Sequence, residues 1–360
     1  MTYPTKKLGE VIEINYGKGL SKDSRVDSGK YFAYGSNGPV YRTNESLTNS
    51  EIIVIGRKGT AGALYFISEP CWPIDTTFFA KPKNGASLKF IYYLLQTKRL
   101  PRLAIVTGVP GINRTTLANI NIQLPPLEIQ KQIVERLDKI VEAQKLNNDL
   151  IQKSDELFQS LLHKELNPAG KDWEVKKVKD VAVVKNGGTP STKNQKYWNG
   201  KILWLTPKEL SGFEDIEISD TERKISDEGL KHSSATVLPA GAVLLTSRAP
   251  IGYIAIAGVP MATNQGFKNF VCDSKLLNNE FLYFFLRLKT KYLQSLGRGA
   301  TFTEISKTAV EKVEIPLPPL EIQKQIVAKL SAVQEYKTQL LAQKSKLKEL
   351  FNSVLSKSFK

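Results

Sequence analysis

The chain has 360 residues, of which 51 are Lys or Arg and 35 are Asp or Glu, so its formal net charge is +16 at pH 7. Two domains of ordinary size fit this length, and two cysteines are too few for a disulfide framework. No stretch reaches the roughly 20 apolar residues of a membrane span, and the first ten residues lack the apolar segment of a signal peptide. We therefore expect a cytoplasmic protein, and the excess of Lys and Arg favours a polyanionic partner such as nucleic acid.

The first 123 residues carry the pattern of a mixed domain. Short β-rich runs such as residues 51–55 and 63–67 alternate with turns rich in Gly, Ser and Asn, and one helix is predicted near residues 88–100. Strands and a helix together in one such segment indicate a single domain of the α+β class.

A long helix is predicted to follow over residues 124–166. It opens with Leu-Pro-Pro-Leu-Glu-Ile-Gln-Lys-Gln-Ile-Val at residues 124–134, where paired prolines enforce an extended entry and Glu128 complements the positive end of the helix. At about 1.5 Å per residue, a helix over residues 127–164 spans roughly 57 Å. A rod of this length fits a spacer between two domains, and a stalk without a measuring role is the alternative.

Residues 167–316 repeat the pattern of the first domain, and the eleven-residue block recurs unchanged at residues 317–327. In this second domain a helix and three strands are predicted, near residues 279–296, 201–205, 242–246 and 252–257. A second long helix is predicted over residues 317–360. Because the period has the size of a domain, and solenoid repeats are far shorter, the chain is a tandem duplication of one domain and one helix.

Apolar residues recur three and four positions apart along both long helices, as in the seam of a two-helix coiled coil. The seam is apolar towards the ends of each helix and polar in the middle. The predicted packing residues are Ile133, Leu137, Ile140, Ile151, Phe158 and Leu161 in the first helix, and Ile326, Leu330, Val333, Leu340, Leu347, Phe351 and Val354 in the second. We expect the two helices to pack as an antiparallel coiled coil, so that a pseudo-twofold axis relates the two α+β domains.

The sequence contains no convincing motif of an enzyme active site. It has no glycine-rich dinucleotide motif, no phosphate-binding loop, and no His or Cys set with the spacing of metal ligands. The only histidines, His163 and His232, fall on a helix and in a polar loop, where solvation is the simpler interpretation. We expect no catalytic residue, metal or cofactor in this chain, so that any catalysis must come from a partner.

Polar and basic side chains in loops form the candidate DNA contacts, because Lys and Arg neutralise phosphates whereas Arg, Asn and Gln suit base edges. In the first domain the candidates are Lys18, Ser36, Asn37, Arg57, Lys58, Thr76 and Arg114. In the second domain they are Thr189, Ser191, Lys193, Gln195, Lys196, Tyr197, Lys208, Arg248, Asn264, Gln265, Lys268 and Arg298. Arg57, Arg248 and Gln265 are the strongest candidates, since they follow predicted strands or lie in glycine-containing loops.

The order of motifs in the second domain resembles the target-recognition domain of the specificity (S) subunits of type I restriction-modification systems. Gly-Gly-Thr-Pro at residues 187–190 is followed by Lys-Ile-Leu-Trp-Leu at 201–205, Leu-Pro-Ala-Gly at 238–241 and Ala-Thr-Asn-Gln-Gly at 262–266. The duplicated helix block is similar to the spacer regions of that family, so the resemblance covers essentially the whole chain. The first domain fits less fully, because Trp-Pro-Ile-Asp-Thr at residues 72–76 stands where the second domain has Met-Ala-Thr-Asn-Gln at residues 261–265.

This resemblance implies a non-catalytic subunit that binds double-stranded DNA and reads a bipartite target with an unread gap. Two methyltransferase (M) subunits would dock on the paired helices, and restriction (R) subunits would join in the full complex. S-adenosylmethionine, ATP and Mg would then be expected on the partner subunits. Those partners would carry out restriction and adenine methylation, the latter on an extruded base.

Two other classes of function stay open from the sequence. A methyltransferase or nuclease fused to recognition domains would need a catalytic domain, for which the chain has no room. A non-catalytic protein-binding scaffold with a basic surface needs no such domain. The salt dependence of binding, together with competition by unrelated duplex DNA, would separate a scaffold from a sequence reader.

The spacer interpretation predicts the effect of shortening both helices. Deleting one heptad of matched residues from each helix should shorten the preferred gap between the two half-sites, because the helices would set the separation of the two domains. The gap is measured by mapping the sites that are methylated in cells. An unchanged gap would show that the helices are connectors only.

Overall fold

The computed structural model describes residues 3–83, 85–105, 109–248, 250–297 and 303–359. The chain folds into two compact units, of which unit 1 comprises Met1–Asp149 together with Leu341–Lys360, and unit 2 comprises Leu150–Leu340. Both boundaries fall inside the long helices, so each unit contains part of each helix. The predicted division into residues 1–123, 124–166, 167–316 and 317–360 follows secondary structure instead and stays a prediction.

Unit 1 is built on a four-stranded antiparallel sheet. The strands of unit 1 are β1 (Thr5–Lys7), β2 (Ile12–Tyr16), β3 (Tyr31–Gly35), β4 (Gly38–Thr43), β5 (Ile52–Gly56), β6 (Leu64–Ile67), β7 (Cys71–Pro73), β8 (Thr77–Pro82) and β9 (Asn121–Gln123). Its helices are α1 (Leu8–Val11), α2 (Leu88–Thr97), α3 (Arg114–Ala118) and the first part of α4 (Leu127–Leu166). The main sheet has the order β2-β8-β5-β6, beside a sheet β4-β3-β7 and a pair β1-β9.

Strand β5 is buried on both faces, which explains its uninterrupted apolar sequence. Ile53 and Ile55 belong to a core cluster that includes α2, whereas Ile52 and Val54 belong to a second cluster with Cys71. Because successive side chains of a strand point to opposite faces, β5 separates two cores. The loop that follows β5 therefore starts from a firmly packed position.

Unit 2 repeats this architecture. Its strands are β10 (Glu174–Lys177), β11 (Ala182–Asn186), β12 (Trp198–Leu205), β13 (Glu217–Ile218), β14 (Lys224–Ile225), β15 (Val243–Thr246), β16 (Ile254–Ala257), β17 (Ala262–Thr263), β18 (Phe267–Cys272) and β19 (Glu314–Leu317). Its helices are the last part of α4, then α5 (Asp227–Lys231), α6 (Asn279–Leu288), α7 (Thr290–Ser295), α8 (Lys307–Glu311) and the first part of α9 (Leu320–Ser358), whose last part belongs to unit 1. The main sheet, β11-β18-β15-β16-β13, keeps the order of unit 1 and adds one strand, while β14-β12-β17 matches the smaller sheet.

The α+β class is confirmed, and the helices differ from the predictions at their ends. The helix predicted over residues 279–296 is two helices, α6 and α7, because Lys289 between them leaves the helical conformation with φ −86° and ψ 6°. The helix predicted over residues 88–100 ends at Thr97, before a short 3-10 turn that contains Pro101. Proline cannot donate the backbone hydrogen bond that would continue the helix.

A buried glutamine in each copy of the repeated block ties the long helix to its unit. In unit 2 the side chain of Gln323, which is 0% exposed, donates to the carbonyl of Pro318 (2.8 Å) and to that of Leu276 (2.9 Å). Its oxygen accepts the backbone N–H of Asn278, the residue that caps α6, at 2.8 Å. One amide side chain therefore joins the entry of α9 to the start of α6.

Unit 1 uses the same device. The side chain of Gln130, 3% exposed, donates to the carbonyl of Pro125 at 2.8 Å and accepts the backbone N–H of Ser87 at 2.9 Å. Ser87 caps α2 as Asn278 caps α6. The glutamine thus has the same role in both copies of the identical block.

The predicted seam residues lie on the covered side of each long helix. In unit 1, Leu137 and Ile140 are buried and Ile133, Leu347, Phe351 and Val354 are half-buried. In unit 2, Phe158, Ile326, Leu330 and Leu340 are buried and Ile151, Leu161 and Val333 are half-buried. Within the described ranges, no helix combines the length and the apolar character needed to cross a membrane.

Two ion pairs give the direction of the helices within unit 2. Lys329 pairs with Glu165 at 3.1 Å, and Lys337 pairs with Asp155 at 2.8 Å. As the residue number rises along α9 it falls along α4, so these two segments run antiparallel. In unit 1, the side-chain amide of Gln144 donates to the carbonyl of Leu347 at 3.2 Å.

Replacing the buried glutamine should destabilise the unit that it ties. The variant Gln323→Leu leaves one backbone N–H and two carbonyls without their partner, which we expect to lower the free energy of unfolding of unit 2 by about 2 kcal/mol or more. Urea unfolding followed by tryptophan fluorescence reports mainly on unit 2, because three of the four tryptophans, Trp173, Trp198 and Trp204, lie there, and the Trp72→Phe background removes the signal of unit 1.

The matched control is Gln325→Leu, an exposed position two residues along the same helix. This variant should unfold close to the wild-type midpoint. Equal midpoints for the two variants would contradict the structural role of Gln323.

Candidate nucleic-acid interface

In each unit several of the candidate DNA contacts lie together at one edge of the main sheet. In unit 1, β8 is antiparallel to both β2 and β5, so the ends of β2 and β5 lie beside the start of β8. The backbone N–H groups of Arg57 and Lys58, just after β5, both donate to the carbonyl of Thr76, just before β8. Lys18, beyond β2, donates its backbone N–H to Pro73. Loops from three strands are thereby joined at this edge.

Aromatic rings support two arginines at the edge of unit 1. The guanidinium groups of Arg57 and Arg114 each lie 5.2 Å from the centroid of the Tyr16 ring. Tyr16 is the last residue of β2 and packs on Phe78 with 5.1 Å between ring centroids. Nη1 of Arg57 also donates to the carbonyl of Asp75 at 3.0 Å. Two cations are thus held close together beside a half-exposed ring, an arrangement suited to a phosphate or a base edge.

The other unit 1 candidates lie around this pair. Lys18, Asn37 and Lys58 are exposed, and Ser36 and Thr76 are half-buried. The Ser36 hydroxyl oxygen lies 3.4 Å from the position that a Cβ would take at Gly59, in the loop after Lys58. This distance shows that the loop approaches the 35–38 turn closely. Gly59 has φ +80°, a conformation that favours glycine.

The corresponding edge of unit 2 brings together Thr189, Asn264 and Gln265. The hydroxyl of Thr189 donates to the side-chain oxygen of exposed Gln265. Asn264 accepts the backbone N–H of Gly266 at 2.8 Å, which shapes the turn before β18. Both loops therefore hold polar side chains in fixed positions at the end of the sheet.

A cluster of three charged side chains lies at the same edge of unit 2. Glu304 bridges two cations: its Oε2 accepts from Nε of Arg248 at 2.9 Å, and its Oε1 accepts from Nζ of Lys268 at 3.0 Å. Lys268 is 4% exposed and also donates to the hydroxyl of Ser247 at 3.3 Å. Lys268 was predicted as a DNA contact, and its burial directs the ammonium group to Glu304.

The electrostatics of this cluster keep Glu304 ionised. Burial opposes ionisation of its carboxyl group, but the hydrogen bonds from Lys268 and Arg248, together with their charges, outweigh that effect. The pKa of Glu304 is therefore lowered from its ordinary value. With two cations and one anion, the cluster carries a net charge of +1.

Backbone pairing aligns the charged cluster with residues of unit 1. Lys58 forms an isolated antiparallel bridge with Gly111, as Arg248 does with Glu304. Lys58 is thus the counterpart of Arg248, and Gly111 is the counterpart of Glu304. In the sequence, the run of residues 52–57 resembles the run of residues 242–248, and each run ends in an arginine, but the structure pairs Arg248 with Lys58, one residue after Arg57.

The same alignment holds across the sheet. Tyr16 is paired with Phe78 between β2 and β8, and Asn186 is paired with Lys268 between β11 and β18. Hence the buried cation Lys268 occupies the position of the aromatic Phe78. The two units support their edge arginines differently, by aromatic rings in unit 1 and by an acidic side chain in unit 2.

The remaining unit 2 candidates lie on loops and short helical turns. Ser191, Lys193, Gln195, Lys196 and Lys208 are exposed, and half-buried Tyr197 stacks on His232 with 5.5 Å between ring centroids. Lys208 is 4.0 Å from Glu222. None of the described contacts joins these residues to Arg248, and Arg298 lies outside the described residues.

Two residues at the sheet edges are not among the DNA contacts that the sequence predicts. Tyr16 is 50% exposed, and its position as the last residue of a strand was the available signal. Glu304 gave no signal, because an acidic residue is not expected at a DNA-binding surface unless its cationic partners are known. Its role depends on a pairing with Arg248, 56 residues away.

The described residues provide neither a metal-binding cluster nor a reactive thiol. Among them no group of three or more His, Cys, Asp or Glu side chains is placed to hold a metal ion. Burial raises the pKa of both cysteine thiols, and that of Cys272 reaches about 12. These thiols are therefore protonated near neutral pH and are poor nucleophiles.

Comparison with known proteins gives a consistent family. The model of the type I restriction modification DNA specificity domain matches residues 2–153 and 170–349. The MjaIX specificity subunit of a type I restriction enzyme from Methanocaldococcus jannaschii is 43% identical over 192 residues, which cover 53% of this chain and 43% of that protein. The chain thus matches less than half of the length of this relative.

Solved structures share the fold over nearly the whole chain. The S subunit of a type I restriction-modification system from M. genitalium has a TM-score of 0.69 at 15% identity and covers 100% of this chain and 96% of its own. A chain from a study of complex assembly and conformational transition in the type I R-M system has a TM-score of 0.64 at 19% identity, covering 100% and 98%. At these identities the likeness concerns the fold.

The lowered pKa of Glu304 predicts a pH-dependent contribution to stability. Because the folded-state pKa is depressed, the contribution is fully present above the ordinary value of 4.5 and is lost as the pH falls through the lowered pKa. At pH 7, Glu304→Gln should lower the free energy of unfolding of unit 2 by roughly 1–3 kcal/mol, since Lys268 loses its counter-charge.

The measurement is urea unfolding of wild type and variant between pH 7 and pH 3, where the difference between them should shrink. Glu222→Gln is the control, because Glu222 is exposed and only loosely paired with Lys208. A difference that stays constant over this pH range would rule out the proposed titration.

Proposed function

Because the chain belongs to the family of type I restriction-modification DNA specificity subunits, we propose that it is the subunit that reads a bipartite DNA sequence. Each unit would read one half-site, and the base pairs between the half-sites would stay unread. The family model matches both halves of the chain, which supports one recognition domain in each.

The observation that carries this proposal is the equivalent edge in the two units. At each edge, three loops are fixed by backbone hydrogen bonds and packing, and arginines are held there in partly exposed positions. Guanidinium groups suit both phosphates and the acceptors of guanine in the major groove. The supporting residues differ between the units, so two different half-sites are expected.

We propose that the candidate residues act in two groups. Those at the sheet edges, led by Arg57, Arg248 and Gln265, would contact base edges. The exposed side chains on the loop and turns of unit 2, such as Lys193 and Lys196, would contact phosphates. The formal charge of +16 supports binding to the backbone of DNA.

The proposed partners follow from the family. Two methyltransferase subunits would dock on the long helices, and restriction subunits would join in the full complex. S-adenosylmethionine, ATP and Mg would be bound by those subunits, as the resemblance to the family implies. We also propose that the protein works in the cytoplasm, where its DNA target would lie.

The modular assignment predicts separable effects of two arginines. Arg248→Ala should weaken or relax recognition of one half-site, and Arg57→Ala should do so for the other, because each residue belongs to one unit. Loss of one bidentate contact reduces discrimination by about 1–3 kcal/mol. The readout is a genome-wide map of methylated adenines in cells that express the chain with its methyltransferase partner.

The map from cells without the chain is the control. A split motif that appears only with the wild-type chain would support the specificity role and would give both half-sites. Equal loss at both half-sites in either variant would refute the modular assignment. The scaffold interpretation would be favoured if the chain forms a stable complex with its partner but gives no new methylation, and if unrelated duplex DNA fully displaces the bound DNA.

A further inference from the structure

The charged cluster of unit 2 contains an acidic side chain where DNA is expected to bind. Glu304 lies between Arg248 and Lys268, at 2.9 and 3.0 Å. An isolated carboxylate at such a surface would repel phosphates. The charges of its two cationic partners offset that repulsion.

The geometry of the ion pair restricts the arginine. Glu304 accepts from Nε of Arg248, the nitrogen nearest to the aliphatic stem. A guanidinium group is planar, and a bond at Nε together with the stem fixes the orientation of that plane. The two Nη groups then point away from the stem, and the side chain of Arg248 is 44% exposed. This is the pair of donors that matches O6 and N7 of guanine.

Lys268 holds the carboxylate of Glu304 in place. Its side chain is 6% exposed, so its ammonium group does not serve as a flexible surface contact, and it is held by Ser247 as well as by Glu304. Binding of both carboxylate oxygens, one by each cation, fixes the carboxylate. A fixed carboxylate in turn limits the rotamers of Arg248, which otherwise would lose considerable side-chain entropy on binding DNA.

Unit 1 provides an internal comparison, because the same three positions are Lys58, Gly111 and Phe78 there. The buried cation and the acid are both absent from those positions, and the exposed residue is a lysine. Lysine carries a flexible point charge without a planar pair of donors. In unit 2 the acid and the buried lysine occur together with Arg248. In unit 1, which has neither, the position equivalent to Arg248 holds Lys58.

We propose that Glu304 is a positioning residue for DNA readout: it orients Arg248 towards a guanine in the half-site of unit 2, while Lys268 locks the acid and keeps the cluster positive. This inference rests on the proposed function of the chain. It adds a specificity device that unit 1 lacks at the equivalent position, where Lys58 contacts DNA without this orientation.

The test uses the full chain assembled with its methyltransferase subunits. The probes are duplexes that carry the two half-sites found in the methylation map, and a set in which each base pair of either half-site is changed in turn. Dissociation constants are measured at one fixed salt concentration, because affinity for DNA depends steeply on salt. The variants are Glu304→Gln, Arg248→Lys and the two combined.

We expect Glu304→Gln to reduce discrimination by about tenfold or more at one G·C pair of the unit 2 half-site, in line with the value of a bidentate contact. Discrimination in the unit 1 half-site should not change. Arg248→Lys should give the same loss at the same base pair. In the combined variant the loss should be no greater than in either single variant, because Glu304 acts through Arg248.

Three results would overturn the proposal: unchanged discrimination in Glu304→Gln, losses that add in the combined variant, or a loss at a base pair that Arg248→Lys does not affect. A uniform loss of affinity for every duplex would likewise show a purely structural role. If Glu304→Gln fails to fold, Glu304→Gln combined with Lys268→Met removes the carboxylate together with the buried ammonium group and repeats the test. If the wild-type complex itself does not prefer its half-sites over unrelated duplex, the proposed function fails instead.

Discussion

One amide side chain fixes the relation between each long helix and its globular unit. Gln130 and Gln323 join the proline-containing entry of a long helix to the capped start of α2 or α6. Helix α2 packs on β5 and β6, and α6 packs on β15 and β16. The strands β5 and β15 then carry the loops of the proposed DNA-binding edge. A carboxamide has both a donor and an acceptor in a fixed geometry, so another residue type cannot make these bonds together. This requirement explains why the glutamine at this position is the same in both copies of the block.

The sequence predicted the fold well where the signal is local or repeated. The duplication, the α+β class and the two long helices are confirmed, because periodicity, prolines and an unchanged block mark them. The break at Lys289 and the correspondence of Arg248 with Lys58 were missed. Both depend on tertiary context: one on a capping conformation within an apolar run, the other on strand pairing. The sites were predicted only as residue types, since Tyr16 and Glu304 act through neighbours that are distant in sequence.

The two units show that one scaffold can hold a guanidinium group in two ways. In unit 1, Arg57 lies beside Tyr16 and Phe78, whose rings attract the cation without neutralising its charge. In unit 2, Glu304 holds Arg248 by a charge-assisted hydrogen bond that is more directional. The second solution needs a further cation, Lys268, in the position of Phe78. The exchange of an aromatic core residue for a buried lysine is therefore coupled to the exchange of Gly111 for Glu304.

The division of both long helices between the units affects how the chain matures on the ribosome. Most of unit 1 precedes unit 2 in the chain, but unit 1 also contains Leu341–Lys360, whose Phe359 packs on Phe90 with 5.1 Å between ring centroids. Between these two segments the ribosome must synthesise all of unit 2, which takes on the order of ten seconds or more at about 5–20 residues per second. During that interval the apolar face around Phe90 has no covering helix. Translation that stopped after Leu340 would thus release a complete unit 2 attached to an open unit 1, a species prone to aggregation and to degradation.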